Sequence, residues 1–218
     1  ILEFIGGEPL LEIDLIDYIT EYFKFKAFEV GSPWATNYMI SMSSNGVLYR
    51  DKKVQDYFKR NPNKVSIGIT IDGNKKLHDS CRKFPDGRGS YDIVEKSVKK
   101  LIKSVQKPQT KITLCPSNIM YLNDAIKNVW NLGMIGAYTN CVYEEGWTLK
   151  DAKIFYKELI KLADYLLTDK NYSKYFCSLF DESIGQELKD DKNWCGGNGQ
   201  MLAIGTDGRC YPCIRFMK

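Results

Sequence analysis

Phe-Ile-Gly-Gly-Glu-Pro-Leu, at residues 4–10, is the most informative stretch of this sequence. Two adjacent glycines, Gly6 and Gly7, let a ligand approach the bare backbone. The carboxylate of Glu8 can pair with an ammonium group, and Pro9 directs the chain into a helix. This combination suits an amino-acid-like ligand. A nucleotide phosphate would require a Walker or G-x-G-x-x-G pattern, and the sequence contains neither.

Strands and helices alternate along the chain around this stretch. The spacing of apolar residues predicts strands at 1–5, 38–43, 65–71, 110–115 and 134–143. It predicts helices at 11–23, 51–60, about 90–105, 121–131 and 149–168, with Ser90 as a candidate cap. Residues 170–194 are expected to form shorter helices and loops. The alternation predicts an α/β fold with a parallel sheet and right-handed crossovers, either open and doubly wound or closed as a barrel.

Each predicted strand ends in a polar or glycine-bearing cluster. These clusters are residues 6–9, 43–46, 72–73, 116–118 and 143–146. Because the carboxyl ends of parallel strands line the ligand site in such folds, the clusters are candidates for one binding rim. Ordinary loop composition is the alternative, since loops are rich in the same residue types.

Composition excludes several classes of protein. The net charge of +4 is mild, and the lysines fall on predicted helix faces, so we expect no nucleic-acid partner. No apolar run reaches the roughly 18 residues of a membrane span, and no signal peptide is present, so we expect a cytoplasmic protein. Of the 7 cysteines, three lie close together at Cys195, Cys210 and Cys213. This grouping favours a metal or cluster site over a disulfide framework.

Three segments together resemble the radical SAM superfamily. Residues 4–10 resemble its F-x-G-G-E-P-L segment, and residues 42–46 resemble its third-strand segment. Residues 71–73, followed by His78, Asp79 and Arg82, resemble the S-I-D-G…H-D…R run of the peptide- and protein-modifying branch. The resemblance implies a partial (β/α)6-type TIM-like barrel that binds S-adenosylmethionine (SAM).

The resemblance also implies a role for individual residues. Gly6, Gly7 and Glu8 would hold the amino group of SAM, Ser43 and Asn45 its ribose, and Arg82 its carboxylate. By contrast, His78 is expected to be a loop residue paired with Asp79 or Arg82.

The last segment is similar to the opening of the SPASM domain. Cys195 is followed by a predicted D-G hairpin turn at 207–208 and then by Tyr211-Pro212-Cys213. The resemblance implies that Cys195 and Cys213 ligate an auxiliary [4Fe–4S] cluster. Cys210 is ambiguous, because a C-x2-C pair suits zinc as well as a cluster. The predicted domains are a barrel at 1–168, a helical connector at 169–194 and a SPASM-like start at 195–218.

The chain departs from the family pattern at both ends. The C-x3-C-x2-C loop that ligates the SAM-cleaving [4Fe–4S] cluster is absent, and we expect it upstream of Ile1. We expect the remaining SPASM cysteines beyond Lys218. The chain alone is therefore predicted to be unable to cleave SAM.

The resemblance implies a function for the intact protein. It would generate a 5′-deoxyadenosyl radical that abstracts hydrogen from a precursor peptide or protein, with a small electron donor such as a flavodoxin or ferredoxin. Peptide maturation through a thioether or another cross-link is the first hypothesis, and an anaerobic sulfatase-maturating enzyme is the close alternative. A third hypothesis, from another class, is a non-catalytic peptide- or SAM-binding module with a zinc site.

Overall fold

The computed structural model describes residues 1–142, 144, 146–182 and 199–217. The chain forms two compact units, Ile1–Phe180 and Asp181–Lys218. The first unit contains β1 (Leu2–Phe4), α1 (Ile13–Glu29), β2 (Ile40–Ser44), α2 (Lys52–Arg60), β3 (Val65–Ile69), α3 (Lys75–Cys81), α4 (Tyr91–Ile102), β4 (Gln109–Leu114), α5 (Leu122–Asn131), β5 (Gly136–Cys141), α6 (Leu149–Leu167) and β6 (Phe176–Cys177). Short 3-10 helices lie at Pro9–Glu12, Pro33–Ala35, Ile119–Tyr121, Thr168–Ser173 and Ser178–Phe180.

The strands of the first unit are all parallel. They form two three-stranded sheets, in the orders β1-β2-β3 and β4-β5-β6. The side chain of Thr110 joins the sheets: its Oγ1 donates to the carbonyl of Ile69 (2.8 Å) and accepts from the backbone N–H of Ile71 (3.1 Å). The strand ends that carry the polar clusters therefore face the same way.

The core lies between one face of the strands and the helices. Alternate strand residues such as Ile40, Met42 and Ile112 are buried there. The helices contribute residues at helical spacing, and Trp130 of α5 stacks on Tyr175 with ring centroids 4.7 Å apart. Because a strand turns successive side chains to opposite faces, the residues between the buried ones point away from the helices.

The ends of two helices illustrate local sequence control. At the start of α6, Thr148 and Asp151 form a reciprocal capping box, which satisfies free N–H groups of the first turn. Ser90 precedes α4 as predicted, but its side chain makes no capping hydrogen bond. Its hydroxyl instead contacts His78 and the carbonyl of Arg82, so a tertiary network replaces the local cap.

Three elements differ from the sequence predictions. The first helix runs to Glu29, six residues beyond the predicted 23. The helix α3 was not predicted; Asn74 caps it by accepting a hydrogen bond from the N–H of Leu77. The strand β6 pairs with β5 within the segment expected to hold only helices and loops. The predicted domain divisions at 168 and 194 stay predictions.

The described part of the second unit is a hairpin. The strands β7 (Ala203–Ile204) and β8 (Cys210–Tyr211) pair antiparallel, and a 3-10 helix follows at Ile214–Phe216. Gly208 adopts a φ of 75° at the turn, and Asp207 accepts hydrogen bonds from the backbone N–H of Arg209 and the hydroxyl of Tyr211. Across both units, no helix among the described residues is long and apolar enough to cross a membrane.

Candidate functional site

Glu8 connects the ends of β1 and β2. Its Oε1 accepts hydrogen bonds from the backbone N–H of Leu10 (3.1 Å) and the hydroxyl of Ser44 (2.8 Å). Its Oε2 accepts from the backbone N–H of Asn45 (2.6 Å). A carboxylate has about four lone-pair positions, so these three hydrogen bonds leave room for one further donor. The carboxylate therefore links the ends of the two strands and keeps one acceptor position open.

The segments beside Glu8 leave space for a ligand. Gly6 and Gly7 are exposed, and a Cβ added to either would meet no atom within 4 Å. Gly46, in contrast, is held at a φ of 77°, and a Cβ there would lie 2.5 Å from the side chain of Ile69. Gly6 and Gly7 therefore leave the backbone open to a ligand, whereas Gly46 permits a tight turn.

The predicted ribose-binding residues lie next to each other but face different surroundings. Asn45 closes a local turn, because its Oδ1 accepts from the backbone N–H of Val47 (2.9 Å). Ser43 points to the sheet face opposite the helices, and its hydroxyl accepts from the Nζ of Lys111 (3.3 Å). Only the backbone N–H of Asn45, and not its side chain or that of Ser43, donates to the Glu8 carboxylate.

Arg82 forms an ion pair with Asp72 at the end of β3. The guanidinium Nε donates to Asp72 Oδ2, and the backbone N–H of Thr113 donates to Asp72 Oδ1 (3.0 Å). The Asp72 side chain is 6% exposed and that of Arg82 is 30% exposed. The ion pair uses only the Nε–H of Arg82, and its Nη groups form no hydrogen bond with another described residue. The planar fork thus retains donors for a ligand carboxylate.

His78 is a buried structural residue. Its Nδ1 accepts from the backbone N–H of Asp72 (3.2 Å), so the proton of the neutral ring is on Nε2, which donates to Ser90 Oγ (3.0 Å). Burial lowers the pKa of His78 from its usual 6.5 to about 4. The expected pairing with Asp79 or Arg82 is not what the structure has. Asp79 instead accepts from the N–H of Tyr91.

A cavity of about 210 Å³ opens at the ends of β3 and β4. It is lined by Asp72, Cys81, Arg82, Thr113, Cys115 and Asn118. The side chain of Asn118 fixes the backbone beside the cavity. It accepts a hydrogen bond from the N–H of Cys115 (2.9 Å) and donates one to the carbonyl of Thr113 (3.0 Å). The sequence prediction included the 72–73 and 116–118 clusters as rim segments, and the structure brings them together here.

Two of the three predicted cluster ligands lie on the hairpin of the second unit. Cys210 is exposed, Cys213 is partly exposed, and both are free thiols. Cys195 lies outside the described residues. Within the described ranges, no three His, Cys, Asp or Glu side chains are grouped closely enough to bind a metal ion. The donor chemistry of a free C-x2-C pair suits a thiolate-bound metal or cluster, and the assignment stays a prediction.

Sequence reasoning included Ser44 and Asp72 only as members of the rim clusters 43–46 and 72–73, without a role of their own, and it missed Thr113. Ser44 looked like a turn residue, yet it is 3% exposed and binds Glu8. Asp72 forms an ion pair with Arg82 and accepts a hydrogen bond from the backbone N–H of Thr113 near the end of β4. The available signal was position, since each of these residues is at the carboxyl end of a predicted strand.

No protein-family model and no curated protein sequence matches the chain.

Solved structures do match it. The anaerobic sulfatase-maturating enzyme anSMEcpe, in a structure with bound AdoMet and the Kp18Cys peptide, has a TM-score of 0.73 at 21% identity. The match covers 100% of this chain and 61% of that one. A second structure of anSMEcpe, with bound AdoMet, matches with a TM-score of 0.72 at 22% identity.

SuiB of Streptococcus suis, a radical SAM peptide maturase, is a more distant structural match. In complex with the precursor peptide SuiA it has a TM-score of 0.62 at 14% identity, covering 99% of this chain and 49% of that one. The chain thus spans about half to three-fifths of these neighbours. These matches confirm the predicted α/β fold of the partial TIM-like barrel type.

Proposed function

We propose that this chain is the SAM-binding part of a radical SAM maturase that acts on a precursor peptide or protein. The observation that supports this most directly is the Glu8 carboxylate. It is fixed at the joined ends of β1 and β2 with one acceptor position left, beside two open glycines. The fold is shared with two neighbours whose structures hold AdoMet or a peptide.

In this proposal each polar group at the strand ends binds one part of SAM. Glu8 accepts from the amino group, and the backbone of Gly6 and Gly7 lies against the methionine moiety. Ser43 and Asn45 contact the ribose, and the Nη groups of Arg82 donate to the carboxylate. Asp72 keeps the Arg82 fork oriented, which reduces the entropy lost when SAM binds.

The cofactors would provide the reactive chemistry. When bound together, SAM and a [4Fe–4S] cluster supply a 5′-deoxyadenosyl radical that abstracts hydrogen from the substrate. The residues described above would bind and orient SAM, as proteins do for cofactors generally. The proposed ligands of an auxiliary [4Fe–4S] cluster are Cys195 and Cys213, with Cys210 as an ambiguous third candidate. A flavodoxin or ferredoxin in the cytoplasm would supply the electron.

Peptide maturation through a thioether or another cross-link is the first choice of reaction. SuiB, seen with its precursor peptide, supports it. Anaerobic sulfatase maturation is the alternative, supported by the higher TM-score of anSMEcpe. Incubation of the reconstituted protein with candidate peptides, followed by mass spectrometry, separates a cross-link from the oxidation of a single residue.

The first test measures radical chemistry in the full-length protein. The protein would be purified without oxygen, reconstituted with iron and sulfide, and incubated with SAM and dithionite. We expect 5′-deoxyadenosine and absorbance near 400 nm from the clusters. A colourless protein with stoichiometric zinc and no 5′-deoxyadenosine would instead support the non-catalytic binding module.

The second test isolates the Glu8 carboxylate. We expect Glu8→Gln to weaken SAM binding about tenfold or more, since it removes a charged partner of the ammonium group. Glu12→Gln is the matched control, because Glu12 is an exposed glutamate of the next turn with no capping hydrogen bond. Equal SAM affinity in Glu8→Gln and the parent protein, by calorimetry, would contradict the assignment. An unfolding curve for each variant shows whether the β1–β2 link has survived.

A further inference from the structure

The face of the sheet that points away from the helices is polar. On β2, Ile40 and Met42 are buried while Ser41 and Ser43 point to the other side. Within the first sheet the strand register extends this face to Glu3 and Ser66. The hydrogen bond from Lys111 to Ser43 continues it onto the second sheet, where its polar members are Gln109, Lys111, Thr113 and Asn140. The interior of a TIM-type barrel is ordinarily filled by bulky apolar side chains. A polar interior therefore indicates a cavity for water or a polar ligand.

Lys111 is a cation on this face. Its Nζ reaches across β3 to the hydroxyl of Ser43 on β2 (3.3 Å). The register partner of Ser43 on β3 is Gly68, which has no side chain between Lys111 and Ser43. The space above Gly68 is open, since a Cβ added there would meet no atom within 4 Å. The side chain of Lys111 is exposed and forms no ion pair with a carboxylate of the described residues, including Glu3 on the same face.

An aromatic pair flanks Lys111. Its register partner on β5 is Tyr138, and cross-strand partners point to the same face. The ring of Tyr138 packs on that of Phe176 with centroids 5.2 Å apart, although Tyr138 remains 38% exposed. The face thus offers a cation and a hydroxyl beside an open apolar wall, which suits an extended peptide better than a small polar solute.

We propose that Lys111 binds the carboxylate of an aspartate or glutamate side chain in the peptide substrate, while Ser43, which lies at the SAM ribose in the proposed function, orients the Lys111 ammonium group through its hydroxyl. The proposal rests on the peptide-modifying function above and adds a substrate class to it. Arg82 is paired with Asp72 through its Nε, and in the proposed function its Nη groups bind the SAM carboxylate. The ammonium group of Lys111 has only a neutral hydroxyl as its partner among the described residues. A ligand anion would therefore form its strongest charge-assisted hydrogen bond on this face with Lys111.

The test is a binding selection with the full-length protein loaded with SAM. Random peptides displayed on their encoding messenger RNA would be selected on the parent protein, on Lys111→Gln and on Lys111→Glu. For the parent we expect enrichment of Asp or Glu at one position, with about tenfold weaker binding of the Asn or Gln isostere. We expect Lys111→Gln to lose this preference and Lys111→Glu to prefer Lys or Arg at the same position. Lys100→Glu, on the exposed face of α4, is the control for net charge.

Each other outcome overturns the inference in a distinguishable way. The same acid preference in the parent and in Lys111→Gln would show that Lys111 does not bind the peptide. About tenfold weaker SAM binding in Lys111→Gln, with the peptide preference intact, would assign Lys111 to the SAM carboxylate instead. If the parent enriches no peptide, the inference fails, while the radical function is still decided separately by 5′-deoxyadenosine formation.

Discussion

Acidification should destabilise the first unit through its single histidine. Burial lowers the pKa of His78 to about 4 in the folded chain, against the usual 6.5. Between these values the unfolded chain binds a proton that the folded chain does not. The stabilisation is therefore complete above about pH 6.5 and is lost as the pH falls towards 4. For this pKa difference the linkage relation gives a loss of about 2 kcal/mol between pH 7 and pH 5.

Urea unfolding measures this loss, with the fluorescence of the buried Trp130 as a probe. The matched variant is His78→Gln, whose amide can accept from the N–H of Asp72 and donate to Ser90 but does not titrate. The chain has 1 histidine, so no other imidazole contributes in this range. We expect the variant to lose far less stability between pH 7 and pH 5 than the parent. Equal pH slopes for the two proteins would refute the account of a buried neutral histidine.

Two further predictions concern close packing and a buried hydrogen bond. We expect Gly73→Ala to lower the free energy of unfolding by about 3 kcal/mol, because Gly73 has a φ of 81° and its added Cβ would lie 2.8 Å from the backbone of Ala125. Gly87→Ala is the control. Gly87 has a φ of 85° but lies in open space, so this substitution should lower the free energy of unfolding by only about 1 kcal/mol. Equal losses in thermal or urea unfolding would show that the close approach is relieved at little cost. The hydroxyl of Tyr57 donates to Thr20 Oγ1 (3.0 Å), and both residues are fully buried. A double-mutant cycle of Thr20→Val and Tyr57→Phe should therefore give a coupling energy of about 1 kcal/mol. Additive losses of stability in the two single variants would contradict this hydrogen bond.

The order of the larger elements could be predicted from the sequence because buried positions recur with the period of a strand or a helix. Strands such as β2 and β4 alternate buried and open residues, and α5 buries Ile126 and Trp130 at helical spacing. Short elements are too short to show such a period. With two residues, β6 is too short to show any alternation, and its place in the sheet is set by pairing with β5.

The hydrogen-bond partners within the site were harder to predict than its location. Neighbours in sequence suggested that His78 pairs with Asp79 or Arg82. In the structure, the tight turn at Gly73 brings the N–H of Asp72 back to His78. Such contacts depend on how separate segments meet, and local propensity contains no information about them. The same holds for Glu8, whose partners Ser44 and Asn45 are more than thirty residues away.

Polarity inside the sheet is the feature that links this fold to a function. Apolar residues at the positions of Ser43 and Lys111 would bury more surface and stabilise a closed barrel. The chain instead places a hydroxyl and an ammonium group there, with Gly68 between them on the intervening strand. Polar groups facing inward need hydrogen-bond partners in the protein, in water or in a ligand, because an unpaired buried polar group is destabilising. In the proposal above, an acidic peptide supplies the opposite charge and the further contacts, so the inner face, more than the strand ends, would set substrate preference.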